Sequence, residues 1–335
     1  MVKYIKNIRI VVDAMGSDNA PKAEVNGALA ALVDERISIV LVGRENEIAE
    51  AMGSQIHARL RIVDAPDVIG NDESPAAAIK SKKQSSMVVG LNLLKNGEAD
   101  AFVSAGNTGA LLSGATMIVG RIKGILRPAL AVLLPNSKGF SFLIDTGANI
   151  DAKPEYLPQF AQLGSIYMEN IIGIKTPRVA LINIGAEREK GNSLTKQAYG
   201  LLENAGVNFI GNIEARDIAH GGADVLVCDA FVGNIILKYS EGFASALLGM
   251  IKSELLSSTI SKIGALLSKK AFKNLKKSFD YTEVGGAPLL GLNSLVVKAH
   301  GSSDAKAISA AIRQCTAFVE NGIIEKIQWS VVSGQ

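Results

Sequence analysis

Residues 100–120 read DAFVSAGNTGALLSGATMIVG, and this stretch decides the fold. The apolar run 101–103 suits a buried strand, and the apolar residues from Leu111 onward recur at helical spacing. Between the two lies the turn 104–109, which contains two glycines. A strand, a Gly-rich turn and a helix start, repeated along a chain, are typical of an α/β protein.

The turn of this stretch is suited to bind an anion. A helix start points free backbone N–H groups and the positive end of its dipole at one spot, where a phosphate fits. The predicted phosphate-binding residues are Ser104, Gly106, Asn107, Thr108 and Gly109. The pattern is not a P-loop, because no Lys follows the glycines, and its glycines lack the dinucleotide spacing. A plain tight turn with an Asn or Thr helix cap is the alternative.

Composition narrows the class of protein. The chain has 335 residues, of which 48% are hydrophobic, so a large core is available. Its 33 glycines against 9 prolines favour many tight turns over disorder. Cys228 and Cys315 have no C-x-x-C spacing, which favours a reducing compartment and no zinc site. With no signal peptide and no long uncharged apolar run, we expect a cytosolic protein.

Positive charge is concentrated in one segment. The net charge is +3, but residues 245–279 hold seven Lys against one Glu. Apolar residues recur among these lysines at helical spacing: Leu256, Ile260, Ile263, Leu267 and Phe272. A basic amphipathic stretch of this kind is typical of binding to an anionic membrane surface or an acidic partner. An ordinary helix that covers core is the alternative. Nucleic acid is not expected as a partner, since aromatics are only 5% and no recognised binding motif occurs.

Polar loops follow most of the predicted strands, at 13–19, 104–109, 145–149, 183–192 and 229–234. If the sheet is parallel, these loops lie along one edge and line one polar cleft. Such a cleft suits phosphate or carboxylate chemistry.

A single helix is predicted over 76–95, with Lys80, Lys82 and Lys83 near its start. Lysines there oppose the helix dipole, which favours a ligand or an acidic partner, although a solvated face is the alternative.

Eight segments taken together resemble one bacterial family, the phosphate:acyl-[acyl carrier protein] acyltransferases (PlsX family), over about residues 8–320. They read VVDAMGSDNAPKAEV, SAGNTGALLSGA with GRIKGILRPAL, LIDTGANIDAKPEYL, LINIGAEREKGNSLTK, NFIGNIEARDI, VLVCDAFVGNIILKYSEG, EVGGAPLLGLN and AHGSSDAKAISAAIRQ.

The resemblance implies an enzyme that moves a long-chain acyl group from acyl carrier protein to inorganic phosphate, giving acyl phosphate for phosphatidic acid synthesis. It implies an α/β/α sandwich with a mostly parallel sheet, like phosphate acetyltransferases and isocitrate or isopropylmalate dehydrogenases. It also implies a cytosolic homodimer that binds membranes peripherally and uses no metal or other cofactor. We therefore expect one catalytic domain, 1–335, with an inserted basic helical segment at about 245–280.

The same resemblance suggests residue roles. Because phosphate is itself the nucleophile, no Ser or Cys nucleophile is needed, and donors must stabilise the thioester oxyanion. The polar residues expected to be catalytic are His300, Asn183, Asp229 and Asn234. His300 could accept a phosphate proton or protonate the leaving thiolate, although a lone His is often structural. The cations expected to contact acyl carrier protein are Lys80, Lys82, Lys83, Arg121, Lys123 and Arg127.

Two other functions compete with this interpretation. An oxidoreductase or decarboxylase of the related dehydrogenase fold would need a metal site, for which Asp13, Asp18, Asp145 and Asp229 are the candidates. A non-catalytic membrane scaffold that only binds acyl carrier protein would need fewer polar strand-end loops than this chain has.

Overall fold

The fold is known from a computed structural model, which describes residues 7–278 and 285–333. The strands are β1 (Ile8–Asp13), β2 (Ile37–Gly43), β3 (Leu60–Asp64), β4 (Ala101–Ser104), β5 (Ala129–Asn136), β6 (Gly139–Ile144), β7 (Val179–Asn183), β8 (Phe209–Glu214), β9 (Val225–Val227), β10 (Ala287–Leu290) and β11 (Leu295–Lys298).

The helices are α1 (Lys22–Ala31), α2 (Glu45–Met52), α3 (Pro75–Ser81), α4 (Ser86–Lys95), α5 (Thr108–Gly114), α6 (Tyr156–Tyr167), α7 (Ser193–Leu202), α8 (Ala215–Ile218), α9 (Ala230–Leu255), α10 (Thr259–Leu267), α11 (Lys269–Ser278), α12 (Ala305–Glu320) and α13 (Ile323–Ser333). Short π-helical turns, Ala115–Val119 and Met168–Ile172, continue α5 and α6.

All the strands join one sheet, in the order β3-β2-β1-β4-β11-β10-β5-β6-β9-β7-β8. Alternate residues of β1 point to opposite faces, so that Ile8, Ile10 and Val12 pack with α1 and α12, whereas Val11 packs with α4. Phe102 of β4 is fully buried on the α4 side. Helices therefore cover both faces, which confirms the predicted α/β/α sandwich.

The predicted mostly parallel sheet is confirmed, but the prediction of a single edge is wrong. Of the ten strand pairs formed by the described residues, seven are parallel. The other three, β11–β10, β10–β5 and β5–β6, are antiparallel and lie together. Strands β6 to β9 consequently run opposite to β1–β4 and β11. The carboxyl ends of the two half-sheets therefore lie at opposite edges of the sheet.

The predicted helix 76–95 is interrupted. The interruption also changes where its lysines lie relative to the helix ends. α3 ends at Ser81, and α4 starts anew behind Ser85, whose hydroxyl accepts a hydrogen bond from the N–H of Val88 (3.4 Å). Lys80 consequently lies in the last turn of α3, where the dipole favours a cation. The argument that a cation opposes the helix dipole therefore does not apply to Lys80.

The basic segment is helical and divided into several helices. α9 begins against the sheet, but its buried residues are only Ala230 and Gly233, both in its first turn. α10 has no buried residue, and Ile260 and Leu267 are 84% and 83% exposed. α11 follows, with its described side chains ending at Lys273. None of the helices in residues 7–278 and 285–333 has the length and apolarity needed to span a membrane.

Candidate functional site

Three loops meet at the carboxyl ends of β1, β4 and β11. The N–H of Asp18 donates to the carbonyl of Gly301 (2.8 Å), which joins the first loop to the third. The first loop also lies against the second, because a Cβ on Gly16 would stand 2.6 Å from the backbone nitrogen of Gly106. Parallel pairing of β4 with both β1 and β11 places these strand ends side by side.

Asp13 holds the turn of the predicted phosphate site. Its carboxylate accepts hydrogen bonds from the Ser104 hydroxyl (2.7 Å) and the Met15 N–H (3.2 Å). The Ser104 oxygen in turn accepts the N–H of Gly106 (3.1 Å). Burial raises the pKa of Asp13, while hydrogen bonds and Lys298 act in the opposite direction. The Ser104 hydroxyl thus donates one hydrogen bond and accepts one that shape the turn, and its role in phosphate binding stays a prediction.

The N-terminus of α5 supplies the free donors of this turn. The Asn107 side chain accepts the N–H of Ala110 (2.9 Å), so it caps the helix. Its amide group donates to the carbonyls of Asn71 (3.2 Å) and Gly70 (3.4 Å), which holds the loop before α3. The backbone N–H groups of 107–109 precede the first intrahelical bonds, and Thr108 is exposed. The predicted Asn107 cap is thus present, and the same turn keeps backbone donors available for the predicted anion.

Lys298, at the end of β11, is a site residue that the sequence analysis did not select. This half-buried side chain crosses to the second loop, where its Nζ donates to the carbonyl of Ala105 (2.9 Å) and also to that of Ala299. Desolvation lowers its pKa to about 8, which Asp13 and Asp18 partly offset. A Lys at the end of a predicted strand, two residues before His300, was the available sequence signal.

His300 lies on the exposed side of the third loop. Its Nδ1 lies 2.8 Å from the Ser302 hydroxyl and accepts the Ser302 N–H (3.2 Å). The amide of Asn19 donates to the carbonyls of Ser303 (3.1 Å) and Ser302 (3.4 Å), which fixes the same loop. These hydrogen bonds hold the His300 ring within the third loop, on its exposed side.

A second loop group is organised around Asp145, beyond β6. This buried carboxylate accepts the N–H groups of Leu130, Gly147, Ala148 and Asn149, and also the Asn149 amide (2.7 Å). Five donors leave it little capacity to bind a metal or a substrate, so its role is structural. Burial raises the pKa of the neighbouring Cys228 thiol well above its usual value, and the group stays a neutral thiol.

Asp229 and Asn183 also make structural hydrogen bonds. Asp229 caps α9, because its Oδ1 accepts the N–H of Val232 (2.8 Å). Asn183 donates to the carbonyl of Lys190 (3.1 Å) and accepts the N–H of Ile184 (2.9 Å), which closes the loop after β7. Neither residue belongs to the three-loop cluster around Ser104. Within residues 7–278 and 285–333, no three His, Cys, Asp or Glu side chains form a metal-binding group.

The start of α9 connects the two loop groups. The N–H of Ala230 donates to the carbonyl of Asn149 (3.0 Å), and a Cβ on Gly233 would lie 1.9 Å from the carbonyl oxygen of Asp145. Two turns along the helix, Lys238 is close enough to Lys298 to lower the pKa of that residue. Asn234, between these points, is exposed. The first turns of α9 thus extend from one half-sheet to the cluster on the other.

The six predicted carrier-binding cations differ in their contacts. Lys82 is held by Glu73 (2.7 Å) and by the carbonyl of Val68 (2.8 Å), and Arg121 donates to the carbonyls of Ile125 and Leu126. The other four are exposed, and no contact of their charged groups is recorded in the described part of the chain: Lys80, Lys83, Lys123 and Arg127.

Comparison with known proteins gives a consistent result. The model of a family described as "Fatty acid synthesis protein" matches residues 8–326. The chain is 50% identical over 321 residues to the phosphate acyltransferase of Clostridium acetobutylicum, covering 95% of this chain and 97% of the relative. It is 51% identical over 321 residues to that of Thermoanaerobacterium thermosaccharolyticum, covering 96% of both chains.

The solved structures agree on the fold. A phosphotransacetylase from Streptococcus pyogenes superposes with a TM-score of 0.60 at 20% identity, covering 93% of this chain and 94% of the other. This likeness confirms the predicted relation to the phosphate acetyltransferase fold.

Proposed function

Since this chain belongs to the fatty acid synthesis protein family, we propose that it is a phosphate acyltransferase, with acyl carrier protein as acyl donor and inorganic phosphate as acceptor. The observation that carries the proposal is the turn 104–109. Its N–H donors at 107–109 stand at a helix start, and Asp13 and Lys298 hold its backbone in place. The acyl group is a long fatty chain, and the product is an acyl phosphate for phosphatidic acid synthesis.

In the proposed reaction, phosphate bound at this turn attacks the thioester carbonyl carbon. An oxygen–carbon bond forms, the carbon–sulfur bond breaks, and the carrier leaves as a thiolate that needs a proton. The exposed His300 would accept the phosphate proton and pass it to the sulfur. Exposed Asn234 would donate to the developing oxyanion. Asp229 would contribute by capping α9, the helix that carries Asn234, and Asn183 by closing the loop after β7.

Two partner surfaces complete the proposal. Four exposed cations would steer the acidic carrier protein toward the site: Lys80, Lys83, Lys123 and Arg127. Lys82 and Arg121 would shape the same surface. Because the attraction is electrostatic, salt would slow the association of the two proteins. A second surface would hold the enzyme on an anionic membrane, where a lipid-like product is released. It consists of the exposed apolar residues Leu256, Ile260, Ile263 and Leu267 and of half-buried Phe272. We further propose a cytosolic homodimer, with residues 1–335 as one catalytic domain and 245–280 as its inserted segment.

The decisive experiment incubates purified protein with palmitoyl-acyl carrier protein, with and without inorganic phosphate. We expect phosphate-dependent release of free carrier and an acyl phosphate that hydroxylamine traps. Release without phosphate would instead indicate a thioesterase, and no release would indicate a binding protein. Asn107→Ala and His300→Ala should each lower the rate by about tenfold or more, and full activity in both would place the site elsewhere.

A further inference from the structure

We propose that Lys298 is a phosphate-binding residue: its Nζ, anchored on the Ala105 and Ala299 carbonyls, directs its remaining N–H at the anion held by the turn 107–109. This inference rests on the proposed function and adds to it the cation that binds the acceptor. The chemistry of acyl transfer does not by itself say which residue supplies that cation, so its assignment to β11 comes from the structure.

The first argument is the position of the amine. β11 pairs in parallel with β4, and Lys298 stands directly opposite Ser104 in that register. The side chain reaches the Ala105 carbonyl (2.9 Å), one residue before the buried Gly106 and two before the helix cap Asn107. The amine is therefore located at the turn whose later N–H groups are free.

The second argument is the number of hydrogen bonds. A Lys ammonium has three N–H donors. Two of them are used on the carbonyls of Ala105 and Ala299, and no other bond of Nζ is recorded among the described residues. A half-buried ammonium with one remaining donor gains most from an anionic acceptor, because charge-assisted hydrogen bonds are the strong ones.

The third argument is the charge around the amine. The charged groups close enough to act on it are Asp13, Asp18 and Lys238. The Asp13 carboxylate already accepts the Ser104 hydroxyl and the Met15 N–H, and it makes no recorded salt bridge to Lys298 in the described part of the chain. Lys238 adds a second positive charge from α9. A phosphate between these two cations would neutralise their repulsion.

The charge of Lys298 makes a distinctive pH test available. Desolvation lowers the pKa of this amine from 10.5 to about 8, so its charge is lost within a pH range that the assay can cover. If Lys298 binds phosphate, the KM for phosphate of the wild type rises as pH increases through about 8. An Arg at this position stays charged over the whole range, because its pKa exceeds about 12.

The experiment measures the KM for phosphate, at saturating acyl carrier protein, from about pH 7 to about 9.5. Lys298→Met should raise this KM by about tenfold or more, and the increase around pH 8 should disappear. Lys298→Arg should keep phosphate binding and remove the alkaline increase. Lys95→Met, at an exposed end of α4, is the matched control and should behave like the wild type.

A second measurement does not depend on turnover. Phosphate should raise the melting temperature of the wild type and of Lys298→Arg, but not that of Lys298→Met. A Lys298→Met protein that keeps both the wild-type KM and this thermal shift would overturn the proposal and leave Lys298 a structural link. Absence of phosphate-dependent transfer in the wild type would instead contradict the proposed function itself, so the two failures are distinguishable.

Discussion

At the residue scale, a buried carboxyl behind the site controls how stability depends on pH. Glu24 of α1 is fully buried; its Oε1 accepts the Ser17 N–H (3.2 Å), and its Oε2 has no partner in the part of the chain described. Burial raises its pKa from 4.5 to about 7. The folded state therefore holds a proton that the unfolded state releases between these two values.

This gives a prediction with a defined sign. Because the folded state binds more protons there, the free energy of unfolding falls as pH rises from about 4.5 to about 7, by up to about 3 kcal/mol, and then levels off. Glu24→Gln has no proton to lose, so it should remove this decline. Urea unfolding at several pH values measures the slope. An unchanged slope in the variant would assign the effect to another group, such as Asp13.

Asp229 allows a separate prediction, because a cap and a catalytic carboxylate respond differently to substitution. Asp229→Ala loses the bond to the Val232 N–H and should cost about 1 kcal/mol of stability. Asp229→Asn can still cap, so it should keep stability and, if the residue acts only through the helix, most of the activity. A large loss of activity in the Asn variant with normal unfolding would show that the negative charge takes part in the chemistry.

The sequence identified the turn 104–109 but not its supporting residues. A strand, two glycines and a helix start are local signals, so the turn and the Asn107 cap could both be predicted, whereas the anion site stays a prediction. Lys298 lies almost 200 residues away in sequence, and its contact with Ala105 depends on β11 pairing with β4. Pairing between strands so far apart in sequence is set by the tertiary fold and has no local sequence signal.

At the element scale, replacing either of two glycines of α9 with Ala is expected to change stability in opposite directions. A Cβ on Gly233 would lie 1.9 Å from the Asp145 carbonyl oxygen, whereas one on Gly249 has nothing within 4 Å. We expect Gly233→Ala to destabilise the protein by about 3 kcal/mol or more and to lower activity, because α9 would move away from the site. Gly249→Ala should stabilise it by up to about 1 kcal/mol. Denaturant unfolding of both variants tests the close approach.

Elements with strong local signals were predicted well, and breaks between them less well. The interruption of 76–95 has a signal, since Ser85 is a favourable N-cap, but helical propensity on both sides favoured one helix. The change of strand direction between the two half-sheets also has a sequence signal. Only residues 137–138 separate the paired ends of β5 and β6, too few for a crossover between parallel strands.

At the scale of the whole molecule, the exposed apolar residues of α10 predict membrane binding. Ile260→Ser with Leu267→Ser should reduce binding to vesicles that contain phosphatidylglycerol by about fivefold or more, with unfolding nearly unchanged because neither side chain is buried. Ile56→Ser is the matched control, since Ile56 is 93% exposed and lies outside the segment. Equal losses in both variants, or none in the double variant, would contradict the proposed membrane surface.

The position of β10 and β11 has a consequence for how the chain is made. These two strands come from residues 287–298, yet they lie between β4 and β5 in the middle of the sheet. A ribosome that has released about residue 280 has therefore supplied both half-sheets without the hairpin that joins them. Until that hairpin emerges, β4 and β5 each present an open edge, which other chains can pair with. Completion of this sheet therefore waits for residues 287–298, so a stop codon before them would leave an aggregation-prone product rather than a smaller enzyme.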